Sequence, residues 1–91
     1  MLKEIECLIS GRVQGVMYRD FVRRQAWWHN VTGTVENLAD SRVRVVAQGE
    51  ELVLLEFIKQ LKRGSFFSRV ESVAVSWRTA GDKLDAFQII R

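Results

Sequence analysis

The chain has 91 residues, of which 47% are apolar and 27% are charged, and its formal net charge is +3. This length is enough for one domain with a buried core but too short for two. The small positive charge falls below the clustered basicity of a dedicated nucleic-acid-binding domain. The single cysteine, Cys7, excludes an internal disulfide and a metal site built from several cysteines. Its apolar neighbours predict a buried thiol that serves packing.

No apolar run is long enough to span a membrane, and the first residues, Met-Leu-Lys-Glu-Ile-Glu, do not resemble a signal peptide. We therefore expect a cytoplasmic protein that does not act at a membrane.

The first half of the predicted fold is a strand, a loop and a helix. Residues 4–10 alternate between an apolar and a more polar face, which predicts a strand. Residues 11–17 contain glycines and predict a loop. From residue 18 to 29 apolar side chains recur every three or four positions, which predicts an amphipathic helix, with Trp28 expected in the core. Asn30, which follows, is typical of a left-handed residue at a helix end.

A hairpin is predicted next. Residues 32–38 and 42–48 form its strands, and the turn lies at residues 39–41. Asn37 shares its side of the strand with Val35, and we take that side to be the one covered by helices.

The second helix has the clearest pattern in the chain. Glutamates occupy its first turn and Lys62 and Arg63 its last, just before Gly64, as the helix dipole favours. Residues 70–77 predict another strand, and residues 87–90 a short terminal one. The apolar residues of this helix fall at i, i+3, i+4 and i+7: Leu54, Phe57, Ile58 and Leu61.

The predicted order is β-α-β-β-α-β with a short C-terminal strand. Because each helix has one apolar stripe, both can cover one face of an antiparallel sheet, which gives an α+β, ferredoxin-like sandwich. We expect residues 1–91 to form this single domain. The fold hosts many functions, so function has to be argued from a site.

The loop between the first strand and the first helix is a candidate anion site. Unpaired amides and the helix dipole favour an anion at a helix start, and Gly15 lets the backbone curl so that several amides point to one centre. Arg19 at the helix start can add charge-assisted hydrogen bonds. The segment lacks the Gly-Lys-Ser/Thr ending of a nucleotide-binding loop, so ATP and GTP are not predicted. On these residues alone, a glycine-containing turn followed by a surface arginine remains an alternative.

Two motifs resemble the acylphosphatase family. Gly11-Arg-Val-Gln-Gly-Val-Met-Tyr-Arg19 is similar to the family's Gly-x-Val-Gln-Gly-Val-x-Phe/Tyr-Arg, and Gly33-Thr-Val-Glu-Asn37 is similar to its Gly-x-Val-x-Asn. The resemblance extends over almost the whole chain and implies hydrolysis of an acyl phosphate to a carboxylate and inorganic phosphate. It also implies that Arg19 binds phosphate, that Asn37 orients water, and that the cradle consists of the backbone of Gly15, Val16, Met17, Tyr18 and Arg19.

The resemblance further implies a small-molecule acyl phosphate as substrate, inorganic phosphate as product and inhibitor, and neither metal nor cofactor. We expect a monomer that does not bind nucleic acid. Three alternatives stay open: an RNA-binding module of the same fold, an anion-binding module without turnover, and a domain that handles carbamoyl phosphate within hydrogenase-maturation proteins.

Other residues invite a functional interpretation. Asp20, beside Arg19, is expected to complement the helix dipole rather than act as a base. His29 is expected to be a packed or half-buried ring with a hydrogen-bond partner. Met17 is expected at the edge of the cradle, and Phe66 and Phe67 are expected to be exposed and to mark a contact surface.

Overall fold

Five strands and two helices follow one another along the chain in the predicted order. The structure, a computed structural model, describes residues 1–91. The elements are β1 Lys3–Arg12, α1 Tyr18–Trp28, β2 Thr32–Asn37, β3 Val43–Gly49, α2 Glu51–Arg63, β4 Arg69–Thr79 and β5 Phe87–Ile90. Neither helix combines the length and apolar character needed to cross a membrane.

The strands form one sheet in the order β4-β1-β3-β2-β5. The first four strands pair antiparallel, as predicted, whereas β5 pairs with β2 in parallel. The direction of β5 follows from the segment before it. β4 ends at Thr79, opposite Lys3, and the linking chain crosses this end of the sheet, where the Gln48 side chain bonds to Asp82 and Leu84. β5 therefore starts beside the start of β2 and runs alongside it.

The core lies between the two helices and one face of the sheet. The stripe predicted for α2 is fully or almost fully buried, and Cys7 is buried as expected. α1 contributes Tyr18, Val22 and Ala26. The sheet contributes Ile5, Cys7, Ile9, Val35, Val43, Val45 and Ala47.

Trp28 does not lie in the core, and the prediction for it was wrong. Its side chain is 74% exposed. The buried residues of α1 are Tyr18, Val22 and Ala26, spaced by four. Trp28 follows Ala26 by two positions, which is about 200° around the helix axis, so it faces solvent.

The end of α1 has the backbone conformation that the sequence predicts. Asn30 has φ 56°, the predicted left-handed conformation, and the Val31 amide donates to the Ala26 carbonyl at 2.8 Å. His29 is half-buried, and its Nδ1 donates to the Gln25 carbonyl at 2.8 Å. The expectation of a half-buried, hydrogen-bonded ring is confirmed.

Candidate active site

The loop between β1 and α1 is shaped by two residues with positive φ. Gly15 has φ 72° and Met17, directly before the helix, has φ 61°. Glycine adopts this conformation without a steric cost, whereas an ordinary residue such as methionine is strained by about 1–2 kcal/mol. Met17 is 73% exposed, so its side chain stands at the edge of the loop as expected. These two residues lie directly before the first turn of α1.

A run of amides at this turn has no acceptor in the protein. The first amide of the helix that is paired is that of Phe21, which donates to the Met17 carbonyl at 3.1 Å. The amides of residues 15–20 donate to no backbone or side-chain atom. Six adjacent donors at the positive end of a helix are suited to an oxyanion with several oxygens.

The guanidinium of Arg19 is held beside this turn by the terminal strand. Its Nη1 donates to the Ile90 carbonyl at 3.2 Å. In the parallel ladder Ile90 is paired with Glu36, the residue directly before Asn37. The pairing of β5 with β2 therefore brings Arg19 to the end of β2, because one hydrogen bond and one strand spacing separate the two elements.

Asn37 is the last residue of β2 and is exposed. Its side-chain amide makes no hydrogen bond to the protein, so it is free to bind water. The loop is tied to the same place by Gln14, whose Nε2 donates to the carbonyls of Leu38 and Arg42 at 2.9 Å each. These two bonds fix the loop between β1 and α1 against the hairpin that carries Asn37.

One cavity of about 710 Å³ joins these residues. Of the predicted site residues, Gly15, Met17, Tyr18, Arg19 and Asn37 all line it. Val16 does not line it, because its side chain packs against the core instead. Arg19 and Asn37 line the same cavity, although they belong to two motifs that are separated in the sequence by most of α1.

Tyr18 anchors the start of the helix. Its hydroxyl is buried and donates to the Leu61 carbonyl of α2 at 2.8 Å. Burial raises the pKa of Tyr18, so the hydroxyl stays protonated and keeps this bond. Because the next residue is Arg19, fixing Tyr18 fixes the point from which the guanidinium extends.

Asp20 lines the cavity but is engaged with its own helix. Its carboxylate forms ion pairs with Arg23 at 3.4 Å and Arg24 at 3.2 Å. These contacts agree with the structural role expected for Asp20.

Several residues at the site were not predicted from the sequence. Gln14 lies inside the first motif, but nothing in the sequence shows which carbonyls it reaches. Arg23, Phe87 and Arg91 also line the cavity. Arg23 lies one turn after Arg19 on α1, whereas Phe87 and Arg91 reach the cavity through the pairing of β5 with β2. Nowhere in the chain do three or more His, Cys, Asp or Glu side chains cluster as metal ligands.

Several charged side chains on the open face of the sheet pair with one another. Arg44 bonds to Glu6 at 2.6 Å and to Glu36 at 3.1 Å, and Glu4 pairs with Arg78. The outward residues of the central strands β1 and β3 include no aromatic side chain. These central strands therefore carry no aromatic ring on which a base could stack.

Comparison with known proteins shows the family of the chain. A family model described as acylphosphatase matches residues 5–89. The chain belongs to the acylphosphatase family. An acylphosphatase of Salinibacter ruber is 40% identical over 89 residues, covering 98% of this chain and 94% of that protein. An acylphosphatase of Thermus thermophilus is 43% identical over 76 residues, covering 84% and 86%.

A solved structure agrees with these sequence matches. The crystal structure of acylphosphatase from Bacillus subtilis superposes with a TM-score of 0.95 at 35% identity, and the match covers all of both chains. The ferredoxin-like architecture predicted from periodicity is confirmed, as is the family resemblance. As a member of this family, the chain hydrolyses the carboxyl–phosphate bond of acyl phosphates and releases a carboxylate and inorganic phosphate.

Proposed function

We propose that Arg19 and the amides of the preceding turn bind the phosphoryl group of the acyl phosphate, and that Asn37 positions the attacking water. The observation that carries this proposal is that Arg19, the turn and Asn37 line one cavity. All of these groups come from one chain, so we also propose that the protein acts as a monomer.

The phosphoryl group would be held mainly by charge. Arg19 has donors left besides the one that meets Ile90, and a guanidinium can make two parallel bonds to phosphoryl oxygens. At about 1.5–3 kcal/mol for each charge-assisted bond, Arg19 would contribute about 3–6 kcal/mol. The unpaired amides of residues 15–20 would share the negative charge that spreads over the phosphoryl oxygens in the transition state.

The attack would proceed with few catalytic groups because the leaving group is good. The water oxygen bonds to phosphorus while the bond from phosphorus to the acyl oxygen breaks, and the electron pair leaves with the carboxylate. A carboxylate has a pKa of about 4 and departs without a proton. The Asn37 side-chain oxygen accepts a hydrogen bond from the water and aims it, and the proton of the water passes to a phosphoryl oxygen. We therefore propose a reaction that needs neither metal nor cofactor.

Product inhibition follows from the same contacts. Inorganic phosphate presents the oxygens that Arg19 and the amides bind, so it should compete with substrate.

The buried thiol of Cys7 and the paired charges of the open sheet face support a cytoplasmic enzyme that does not bind nucleic acid.

The test is hydrolysis of benzoyl phosphate in the presence of a chelator. We expect turnover without added metal and competitive inhibition by phosphate. Arg19→Ala should lower kcat/KM by about 10²–10⁴-fold, the equivalent of 3–6 kcal/mol, and abolish phosphate inhibition. Arg63→Ala, which removes an exposed arginine at the end of α2, is the matched control and should behave as wild type.

Asn37→Ala separates water positioning from phosphate binding. We expect kcat to fall by about 100-fold, the size of effect that misplacing a reactant produces, while the Ki of phosphate changes little. Wild-type turnover by Asn37→Ala would remove its role. A folded protein without any turnover in chelator that becomes active with a divalent ion would contradict metal independence.

A further inference from the structure

A second cavity adjoins the active site along α1. It has a volume of about 520 Å³ and shares Arg23 and Phe87 with the first cavity. The other residues that line it belong to the second half of α1, the start of β2 and the segment before β5. Because the two cavities share two lining residues, they adjoin each other, and we call the two together the groove.

The groove has the same two walls along its length. One wall is α1, where Arg19, Arg23 and Trp27 follow at intervals of four and lie on one face of the helix. The other wall is formed by residues 85–89, which lead into and include most of β5. From Arg19 to Trp27 the helix advances by about 12 Å, at 1.5 Å per residue, so the far end lies beyond the reach of a two-carbon acyl group.

The charges around the far part of the groove balance, with two arginines against two carboxylates. Arg23 and Arg24 are both paired with Asp20, and Asp85 adds a further carboxylate to the lining. The uncharged part of the lining is mainly apolar, with the indole of Trp27 beside Phe87, and its polar side chains, Asn30 and Thr32, carry no charge. The chemistry therefore fits an uncharged apolar chain.

We propose that this second cavity is the acyl-group subsite, and that the enzyme favours acyl phosphates with an uncharged, medium-length acyl chain. The inference rests on the proposed function, because the phosphoryl group held at Arg19 directs the acyl chain along α1. The acyl chain would pass from the first cavity into the second beside Arg23 and Phe87, which line both. Trp27 is the specificity-determining residue, since its ring is the largest apolar group of the subsite.

Trp28 is a matched control for Trp27. Trp27 and Trp28 are neighbours with similarly exposed side chains, 75% and 74%. Only Trp27 lines the second cavity. Replacing either residue removes the same amount of exposed indole from the same helix turn, so a difference between the two variants reports on the groove.

The experiment compares acetyl phosphate with octanoyl phosphate in wild type, Trp27→Ala and Trp28→Ala. We expect wild type to favour octanoyl phosphate in kcat/KM by at least about tenfold, since several methylenes become buried. Trp27→Ala should lower kcat/KM for octanoyl phosphate by about 3- to 10-fold, the worth of an aromatic contact, and leave acetyl phosphate unchanged. Trp28→Ala should change neither, and Trp27→Phe should recover part of the loss.

Several results would overturn the subsite. Equal kcat/KM for acetyl and octanoyl phosphate in wild type would do so, as would equal effects of the two tryptophan variants. Faster hydrolysis of a chain of equal length that ends in a carboxylate would show that the groove binds charge instead. Each of these outcomes leaves the effects of Arg19→Ala and Asn37→Ala on acetyl phosphate hydrolysis intact, whereas failure of the proposed function would appear as wild-type turnover of acetyl phosphate by those two variants.

Discussion

Gln14 connects the two halves of the active site, and replacing it tests whether that connection matters. Its Nε2 reaches the carbonyls of Leu38 and Arg42 at 2.9 Å each. Gln14→Met keeps the length and the packing of the side chain but removes both donors. The phosphate-binding groups and Asn37 would then stay present without the bonds that fix their relative position.

The loss of stability in Gln14→Met depends on which hydrogen bonds the two carbonyls keep. The Leu38 carbonyl also accepts from the Ser41 amide at 3.3 Å, and the Arg42 carbonyl accepts from the Leu38 amide at 2.8 Å. Neither acceptor is left without a donor, so the loss is the net worth of two hydrogen bonds, about 1–3 kcal/mol. For a domain of this size we expect the Tm to fall by about 4–8 °C per kcal/mol.

The kinetic effect should be selective. In the proposed mechanism, phosphate binding needs only groups on the loop and α1, whereas turnover needs those groups together with Asn37 on the hairpin. We therefore expect Gln14→Met to lower kcat by about 10- to 100-fold and to change the Ki of phosphate by less than about threefold. Steady-state hydrolysis of benzoyl phosphate and thermal unfolding measure the two effects.

A matched control is Gln60→Met on α2, which removes a glutamine away from the cavity and should leave kcat unchanged. If Gln14→Met lost stability but kept wild-type kcat, the bonds would only stabilise the fold. If kcat and phosphate affinity fell equally, the loop itself would have collapsed and the connection would not be the cause.

Three further predictions concern the framework of the site. Tyr18→Phe removes the donor to the buried Leu61 carbonyl and should cost about 1–3 kcal/mol in chemical denaturation with little change in phosphate Ki. Gly33→Ala should prevent folding, as judged by circular dichroism, because a Cβ there would overlap the Val46 carbonyl oxygen and φ is 152°. Burial raises the pKa of the Cys7 thiol to about 12 from 9.0. Its contribution to stability is thus complete below pH 9 and is lost as the pH rises towards 12, and a thiol reagent at pH 8 should react with Cys7 only after unfolding.

The order of elements could be predicted because each one carries a local pattern. The apolar residues of α2 stand at helical spacing and are buried where expected, and Asn30 ends α1 in the left-handed conformation that its side chain tolerates. Trp28 was misplaced because it shares a stripe of α1 with Phe21, and the sequence does not show whether this stripe or the adjacent one with Val22 meets the sheet. That choice is made by Val22 and Ala26, whose small side chains let the helix approach.

The sequence identified individual residues of the site but not the contacts through which the fold brings them together. The two motifs identified Arg19 and Asn37, and both line the cavity. The bond from Arg19 to the Ile90 carbonyl depends on the parallel pairing of β5 with β2, which depends in turn on where the preceding segment crosses the sheet. No periodicity in a strand of four residues specifies its partner, so contacts made through β5 had to come from the structure.

The most direct test of the central claim is a titration of the ¹⁵N-labelled protein with inorganic phosphate, followed amide by amide. We predict that the resonances of residues 15–20 shift together, with one Kd that equals the Ki of phosphate in hydrolysis, and that Arg19→Ala abolishes these shifts. Shifts concentrated elsewhere in the chain, or a Kd unrelated to the Ki, would show that the unpaired amides at the start of α1 do not hold the anion.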